Sequence, residues 1–275
     1  MTQAIAIRRT RRRLQLQPSP AEWVRLRPGL RVLVVGASGA IGGAVVRVLA
    51  ANRATIGAHS YRHGDTLRRL VKTEALADAR IMLYPAELST QRTCHALVDR
   101  FVRWAGGIDG LVQLSGDVRR PCRWEELTEA EWLADLNVNL SGPFFLVQRA
   151  MQAMRSAGGT IILTSTASAR HGGGTHSMAY GVAKAGIECL TKGLARDGAP
   201  HGIRVNAVAP GFIDTPFHRV RMQRNLEDLA RRAALVPLGR AGTPEEVAGL
   251  IAYLLSPGAD YMTGECIAIS GGDWL

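Results

Sequence analysis

The sequence predicts a doubly wound α/β domain built on a parallel sheet. Three observations carry that expectation. Short, β-branched apolar runs recur along the chain, longer amphipathic stretches separate them, and a glycine-rich turn follows the first run. Runs that are continuously apolar, without polar alternation, belong to strands buried on both faces.

In order, the first strand is expected at LRVLVV (30–35), with a helix over 41–51. ATIGAHS (54–60) and ARIMLY (79–84) are the next two strands, followed by helices over 65–77 and 89–104. GIDGLVQL (107–114) precedes one long helix over 128–156, and TIILTS (160–165) precedes another over 179–197. IRVNAV (203–208) leads towards a helix over 244–255, and ECIAIS (265–270) closes the sheet. Seven strands with intervening helices fill a single domain of residues 30–275.

Residues 1–29 read as a basic extension. RRTRRR (8–13) contributes five arginines to a net charge of +11, and Glu22 is the only acid among the first 64 residues. Runs of like charge stay solvated and unfolded, so a disordered tail is expected, with no nucleic-acid partner. No apolar run approaches the roughly 18–20 residues that span a bilayer, so no membrane partner is expected. No charged segment followed by an apolar run opens the chain, which predicts a cytoplasmic location. Cys94, Cys122, Cys189 and Cys266 lack CxxC spacing, which predicts neither a metal site nor a disulfide framework.

The turn GASGAIGG (36–43) lies between the first strand and its helix. Backbone N–H groups and a helix N-terminus face a pyrophosphate in such a turn. Gly36 suits the tight bend and Gly42 a close approach of the helix. A carboxylate at the end of the second strand would bond the adenosine ribose and repel a 2′-phosphate. The sequence offers HSYRHGD (59–65) instead, with Ser60 at the strand end and Arg62 beyond it. Arg62, with His59 or His63, suits charge-assisted bonds to a phosphate, which favours NADP(H) without excluding NAD(H).

HSMAYGVAKAGI (176–187) sets Tyr180 and Lys184 on one helix face, with Cβ atoms roughly 5–6 Å apart. A nearby ammonium is expected to lower the phenol's pKa, readying it to exchange a proton with a carbonyl or alcohol oxygen. Other blocks flank the pair in a definite order. They are TIILTST (160–166), HGGGTHS (171–177), GIRVNAVAPGFIDTPF (202–217) and a closing stretch from PLGRAGTPEE to ISGG (237–272). With the glycine-rich turn, these blocks resemble the short-chain dehydrogenase/reductase family over residues 30–275.

The resemblance implies a Rossmann-like doubly wound three-layer sandwich with a seven-stranded parallel sheet. It also implies an NAD(P)-dependent oxidoreductase interconverting a ketone and a secondary alcohol. Tyr180 would be the general acid/base, Lys184 its pKa-lowering partner and ribose ligand, and Asn139 of LNVNLSG the holder of a relay water. Thr166 is the expected carbonyl-polarising hydroxyl. It lies fourteen residues before Tyr180, one more than the family's usual gap, which leaves Ser165 and Ser168 open. The cofactor would rest on Gly36, Ser38, Gly39, Ile41 and Gly42, then on Ser60, Arg62, Glu87 and Leu88. Ser115, Gly116, Pro210, Gly211, Ile213 and Thr215 would complete its bed, with Tyr180 and Lys184.

A 3-oxoacyl or polyketide-like ketone in a biosynthetic role is the implied substrate, and a homotetramer or homodimer the implied assembly. A non-catalytic dinucleotide-binding protein with a sensing or scaffolding role is the competing reading. Some positions depart from the family pattern. Val35 and Ala40 replace a threonine and a glycine of the first turn, and Gly39 stands where many NADP-dependent members carry a basic residue. QLSG (113–116) replaces Asn-Asn-Ala-Gly, which questions how the fourth strand's end is braced. The segment 218–235 brings Arg219, Arg221 and Arg224 to the substrate side. A solvated helix face is expected there, an acidic or phosphorylated substrate being the alternative.

Overall fold

The chain was described through a computed structural model, which covers residues 24–73, 76 and 79–273. The arginine run at 8–13 therefore lies outside the described residues. Seven strands are present: β1 (Arg31–Val35), β2 (Thr55–Ser60), β3 (Ile81–Pro85), β4 (Gly110–Gln113), β5 (Gly159–Thr164), β6 (Ile203–Pro210) and β7 (Cys266–Ile269). They form one sheet in the order β3-β2-β1-β4-β5-β6-β7, with every neighbouring pair parallel.

Alternation along β1 shows how the sheet is covered. Val32 and Val34 face one apolar layer, packed against Val45 and Leu49 of α1 (Ala40–Ala51), Leu67 of α2 (Gly64–Thr73) and Ile251 of α8 (Pro244–Leu255). Leu33 and Val35 face the other layer, with Phe101 of α3 (Gln91–Ala105), Leu146 and Met154 of α5 (Gly142–Met154), and Ile187 of α6 (Met178–Gly198). Both faces being covered, the strands read as continuous apolar runs. The order reverses between β1 and β4, which opens a crevice beyond their C-terminal ends, where ligands bind in open α/β sheets.

Three expectations change. The single helix over 128–156 is divided into α4 (Glu129–Leu136), a π turn (Asn137–Ser141) and α5. Pro143 explains the break, since it has no N–H to continue the ladder and its ring crowds the preceding turn. The helix over 65–77 ends at Thr73, with Leu76 outside any regular element. Packing also begins ahead of residue 30, because Leu26 is buried in the same layer as Val32. In the 218–235 segment a π turn (Phe217–Arg221) precedes α7 (Leu226–Ala234), a helix with no buried residue.

Candidate active site

A cleft of about 890 Å³ runs along the C-terminal ends of β1, β4, β5 and β6. At one end, Gly36, Ser38, Gly39, Ile41 and Gly42 line it from the first turn. That turn fits against its helix only without side chains: a Cβ on Gly42 would lie 2.2 Å from the Gly36 carbonyl oxygen. The Gly36 N–H donates to His59 Nδ1 at 3.3 Å, and His59 Nε2 lies 3.0 Å from the Ala86 carbonyl oxygen. Both ring nitrogens are thus engaged within the protein, and burial depresses the pKa of the imidazole. His59 braces the turn as a neutral ring, and the expectation that it could meet a phosphate does not hold. Gly42→Val is expected to displace α1 from the turn, at about 1–3 kcal/mol of stability, with loss of dinucleotide affinity. Chemical denaturation and cofactor titration of that variant check this; unchanged cofactor affinity would count against the cradle.

Arg62 and His63 are exposed and line the same end, with the Arg62 guanidinium 5.1 Å from the centre of the Tyr61 ring. Ser60 is buried and absent from the lining, so its expected place against the cofactor is not borne out; an extended strand turns successive side chains to opposite faces. Glu87 and Leu88 line the wall beyond β3, and Ser115 and Gly116 the wall beyond β4. The brace expected from asparagines comes from Gln113, whose amide donates to the Ser115 carbonyl at 2.9 Å and to its hydroxyl at 2.8 Å.

The β5–α6 side carries the acid–base group. Lys184 is buried, and its ammonium donates to the Thr164 carbonyl at 2.8 Å while lying 5.5 Å from the centre of the Tyr180 ring. Burial lowers its pKa to about 8. Tyr180 lines the cleft, half-buried, with its pKa pushed up to about 12 by burial, against a bond from Thr166 that favours the phenolate. The expected lowering is thus reversed. The ammonium is committed to a backbone carbonyl, and removal from water dominates.

The three candidate hydroxyls are engaged differently. Ser165 also borders the cleft, but it is buried and donates to the Lys184 carbonyl at 3.0 Å, within 2.9 Å of Glu188 Oε1. Thr166 lines the cleft beside Tyr180, with Ser168 Oγ 3.2 Å away. The loop between Thr166 and Tyr180 is built from a 3₁₀ turn (Ala167–His171) and glycines at positive φ, Gly172 and Gly173.

Asn139 sits in the π turn, fully buried and behind the cleft wall. Its amide donates to the Asp117 carbonyl at 2.7 Å and the Asp135 carbonyl at 2.9 Å, and its Oδ1 accepts from the Asp117 N–H at 3.1 Å. Gly116 seals the space in front, since an added Cβ would meet Asn139 Oδ1 at 2.8 Å and Lys184 Nζ at 3.2 Å. Pro210, Gly211, Ile213 and Thr215 line the β6 side.

Sequence reading missed the lid contacts. Phe217 approaches Tyr180 at 6.3 Å between ring centres, and Arg221 reaches across to Asp117 at 2.6 Å. His218 lines the cleft between Phe212 and Phe217. No periodicity marks these residues, because they lie in a turn. Among the described residues, no group of three or more His, Cys, Asp or Glu is placed to hold a metal ion.

Comparison with known proteins agrees with this architecture. Residues 36–273 match a family model described as enoyl-(acyl carrier protein) reductase. The 3-oxoacyl-[acyl-carrier-protein] reductase FabG of Thermotoga maritima is 35% identical over 243 residues, which cover 87% of this chain and 96% of the relative. A short-chain dehydrogenase/reductase from Serratia marcescens superposes with a TM-score of 0.83 at 30% identity, covering 90% of this chain and 99% of that one. A single-substitution variant of the actinorhodin polyketide ketoreductase, solved with NADPH, superposes with a TM-score of 0.81 at 28% identity, covering 89% and 97%. The match of sequence and fold extends over almost the whole length of chain and relatives alike, and the chain belongs to the short-chain dehydrogenase/reductase family as a ketoreductase-like oxidoreductase.

Proposed function

We propose that the protein is an NADPH-dependent ketoreductase of biosynthetic metabolism, acting on a 3-oxoacyl or polyketide-like ketone. One observation carries the reading. Tyr180, Thr166 and Lys184 converge on a cleft whose other end is the glycine-rich turn. That turn leaves no room for a Cβ at Gly42, which suits the close approach of a pyrophosphate to backbone N–H groups.

When bound, the nicotinamide supplies a hydride to the carbonyl carbon. Thr166 donates a hydrogen bond to the carbonyl oxygen, and Tyr180, a neutral phenol, gives it a proton. Lys184 stabilises the phenolate left behind and holds the ribose. The Asn139 amide hydrogens are both engaged, so a relay water belongs at its main-chain carbonyl, to which Pro143 has no N–H to give. The remaining cofactor contacts are those of the first turn, Arg62, Glu87, Leu88, Ser115, Gly116 and the Pro210–Thr215 side; Ser60 is left out of them.

Preference for NADPH rests on Arg62 and His63 at the end beyond β2, where no side chain of the strand itself offers a carboxylate. The NADPH complex of the polyketide ketoreductase supports the same choice. Arg62→Gln is expected to raise KM for NADPH about 10- to 100-fold while sparing NADH. Steady-state kinetics with both cofactors decide; an equal change for the two would overturn the assignment.

NADPH oxidation over a panel of acetoacetyl thioesters and cyclic ketones tests the reaction itself. Turnover of a 2-enoyl thioester with none of any ketone would replace this reading by double-bond reduction. The assembly we propose is a homotetramer or homodimer through α5, α6 and β7, supported by Met178 and Val182, which are 43% and 45% exposed on α6. Light scattering checks it. A cytoplasmic location is proposed as well; no described helix is long and apolar enough to cross a membrane.

A further inference from the structure

The lid brings three arginines to the cleft, Arg221, Arg224 and Arg232, and two of them are paired. Arg221 meets Asp117 at 2.6 Å. Arg232 meets Asp273, with its guanidinium 5.4 Å from the centre of the Phe212 ring. Arg224 is half-buried, yet among the described residues its guanidinium meets no carboxylate and makes no hydrogen bond. Only its backbone is engaged, through an N–H donated to the His218 carbonyl at 3.1 Å. Such a cation has given up part of its hydration without gaining a partner among the described residues, a deficit that an anionic ligand removes.

His218 has a complementary deficit. Its ring packs 4.8 Å from Phe212 and 5.5 Å from Phe217, centre to centre, and its Nδ1 is buried with no hydrogen-bond partner. Burial, then the cations Arg224 and Arg232, lower its pKa to about 4, although Asp214 and Asp273 pull the other way. It therefore stays neutral, able to donate one N–H without adding charge. Phe217, its neighbour, faces the Tyr180 ring. The unpaired cation and the unspent nitrogen thus belong to the stretch of lid that adjoins the proton donor.

We propose that Arg224, with His218 beside it, binds an anionic group of the substrate, a carboxylate or a phosphate, carried apart from the reacting carbonyl. The proposal rests on the ketoreductase reading for where that carbonyl sits, and it narrows the substrate to ketones bearing an oxyanion. A guanidinium fork donates to the oxygens of either group in bidentate fashion.

The test reads binding, which separates it from turnover. Full-length protein loaded with NADP+, which has no hydride to give a ketone, is titrated calorimetrically with two matched pairs. One pair is 4-oxocyclohexanecarboxylate and its methyl ester; the other is S-acetoacetyl-4′-phosphopantetheine and S-acetoacetylpantetheine. The anionic member of at least one pair is expected to bind about 10- to 100-fold more tightly, and the pair that responds identifies carboxylate or phosphate. Arg224→Gln should bring that ratio close to one, with Arg224→Lys retaining part of it and His218→Phe lowering it less. Unchanged melting temperatures show that the variants fold. Equal affinities within both pairs overturn the proposal, as does an undiminished ratio in Arg224→Gln or a loss there of NADPH affinity alone. A protein that shows the ratio but reduces neither ketone refutes the reductase reading and leaves the anion site standing.

Discussion

Tyr180→Phe lowers ketone turnover by about 100- to 10,000-fold, the range a positioned acid contributes, with cofactor binding retained. Phenylalanine keeps the packing against Phe217 and removes only the hydroxyl that Thr166 bonds. His218 cannot take over the proton transfer, since it is neutral with a pKa near 4 and already deprotonated at working pH. The pH profile follows from the two shifted groups. Tyr180, pushed up to about 12, stays protonated through the neutral range, whereas Lys184 loses its charge near 8. Reduction is therefore expected to be level below pH 8 and to fall above it, as the ammonium that stabilises the phenolate disappears. Single-turnover NADPH oxidation and cofactor fluorescence titration measure both effects. Turnover in the variant within a few-fold of the parent would remove Tyr180 from the chemistry.

Lys184→Met abolishes reduction and yet makes the fold more stable at neutral pH. The sign comes from linkage. The lysine's pKa falls from 10.5 in the unfolded chain to about 8 in the folded one, so between these values the unfolded state binds more protons. Below pH 8 the folded state carries a buried charge, a cost of roughly 3 kcal/mol at about 1.4 kcal/mol per pKa unit. That cost fades as pH rises from 8 towards 10.5 and both states become neutral. Methionine fills similar volume without the charge, at the loss of one bond to the Thr164 carbonyl, worth about 1 kcal/mol. A net gain of about 2 kcal/mol in urea unfolding at pH 7 is expected, shrinking by pH 9.5. A variant less stable than the parent at pH 7 would show that the charge is better accommodated than its burial suggests. Such a gain, together with lost turnover, is the expected signature of a lysine kept for the proposed chemistry at a cost in stability.

Much of this architecture was legible in the chain because parallel strands buried on both faces leave an unmistakable record. Each of the seven apolar runs became a strand, and their ends shifted by only a few residues. The break at residues 137–141 was less visible, although Pro143 was the available signal; amphipathic periodicity continues through a π turn that changes the backbone beneath it. The glycine turn was read correctly because steric exclusion at Gly42 is a local property of residue type. Ser60 and Asn139 were harder. Adjacent residues on a strand face opposite ways, and a side chain's remaining hydrogen-bonding capacity depends on groups far off in sequence. Thr166, Ser165 and Ser168 could not be separated by counting, since the loop to Tyr180 carries an additional residue.

The order of strand and helix, the glycine turn closed to side chains and the neighbouring of Tyr180 and Lys184 on one helix were determined by the sequence alone. These depend on residue type and on contacts within a few positions, which a linear pattern records. Tertiary structure alone decided that Lys184 donates to the Thr164 carbonyl, that burial raises the pKa of the Tyr180 phenol instead of lowering it, and that Arg224 meets no carboxylate among the described residues. Those outcomes turn on how much water each group loses and on which distant partner reaches it. Desolvation and long-range pairing are properties of the packed molecule, and no spacing along the chain encodes them.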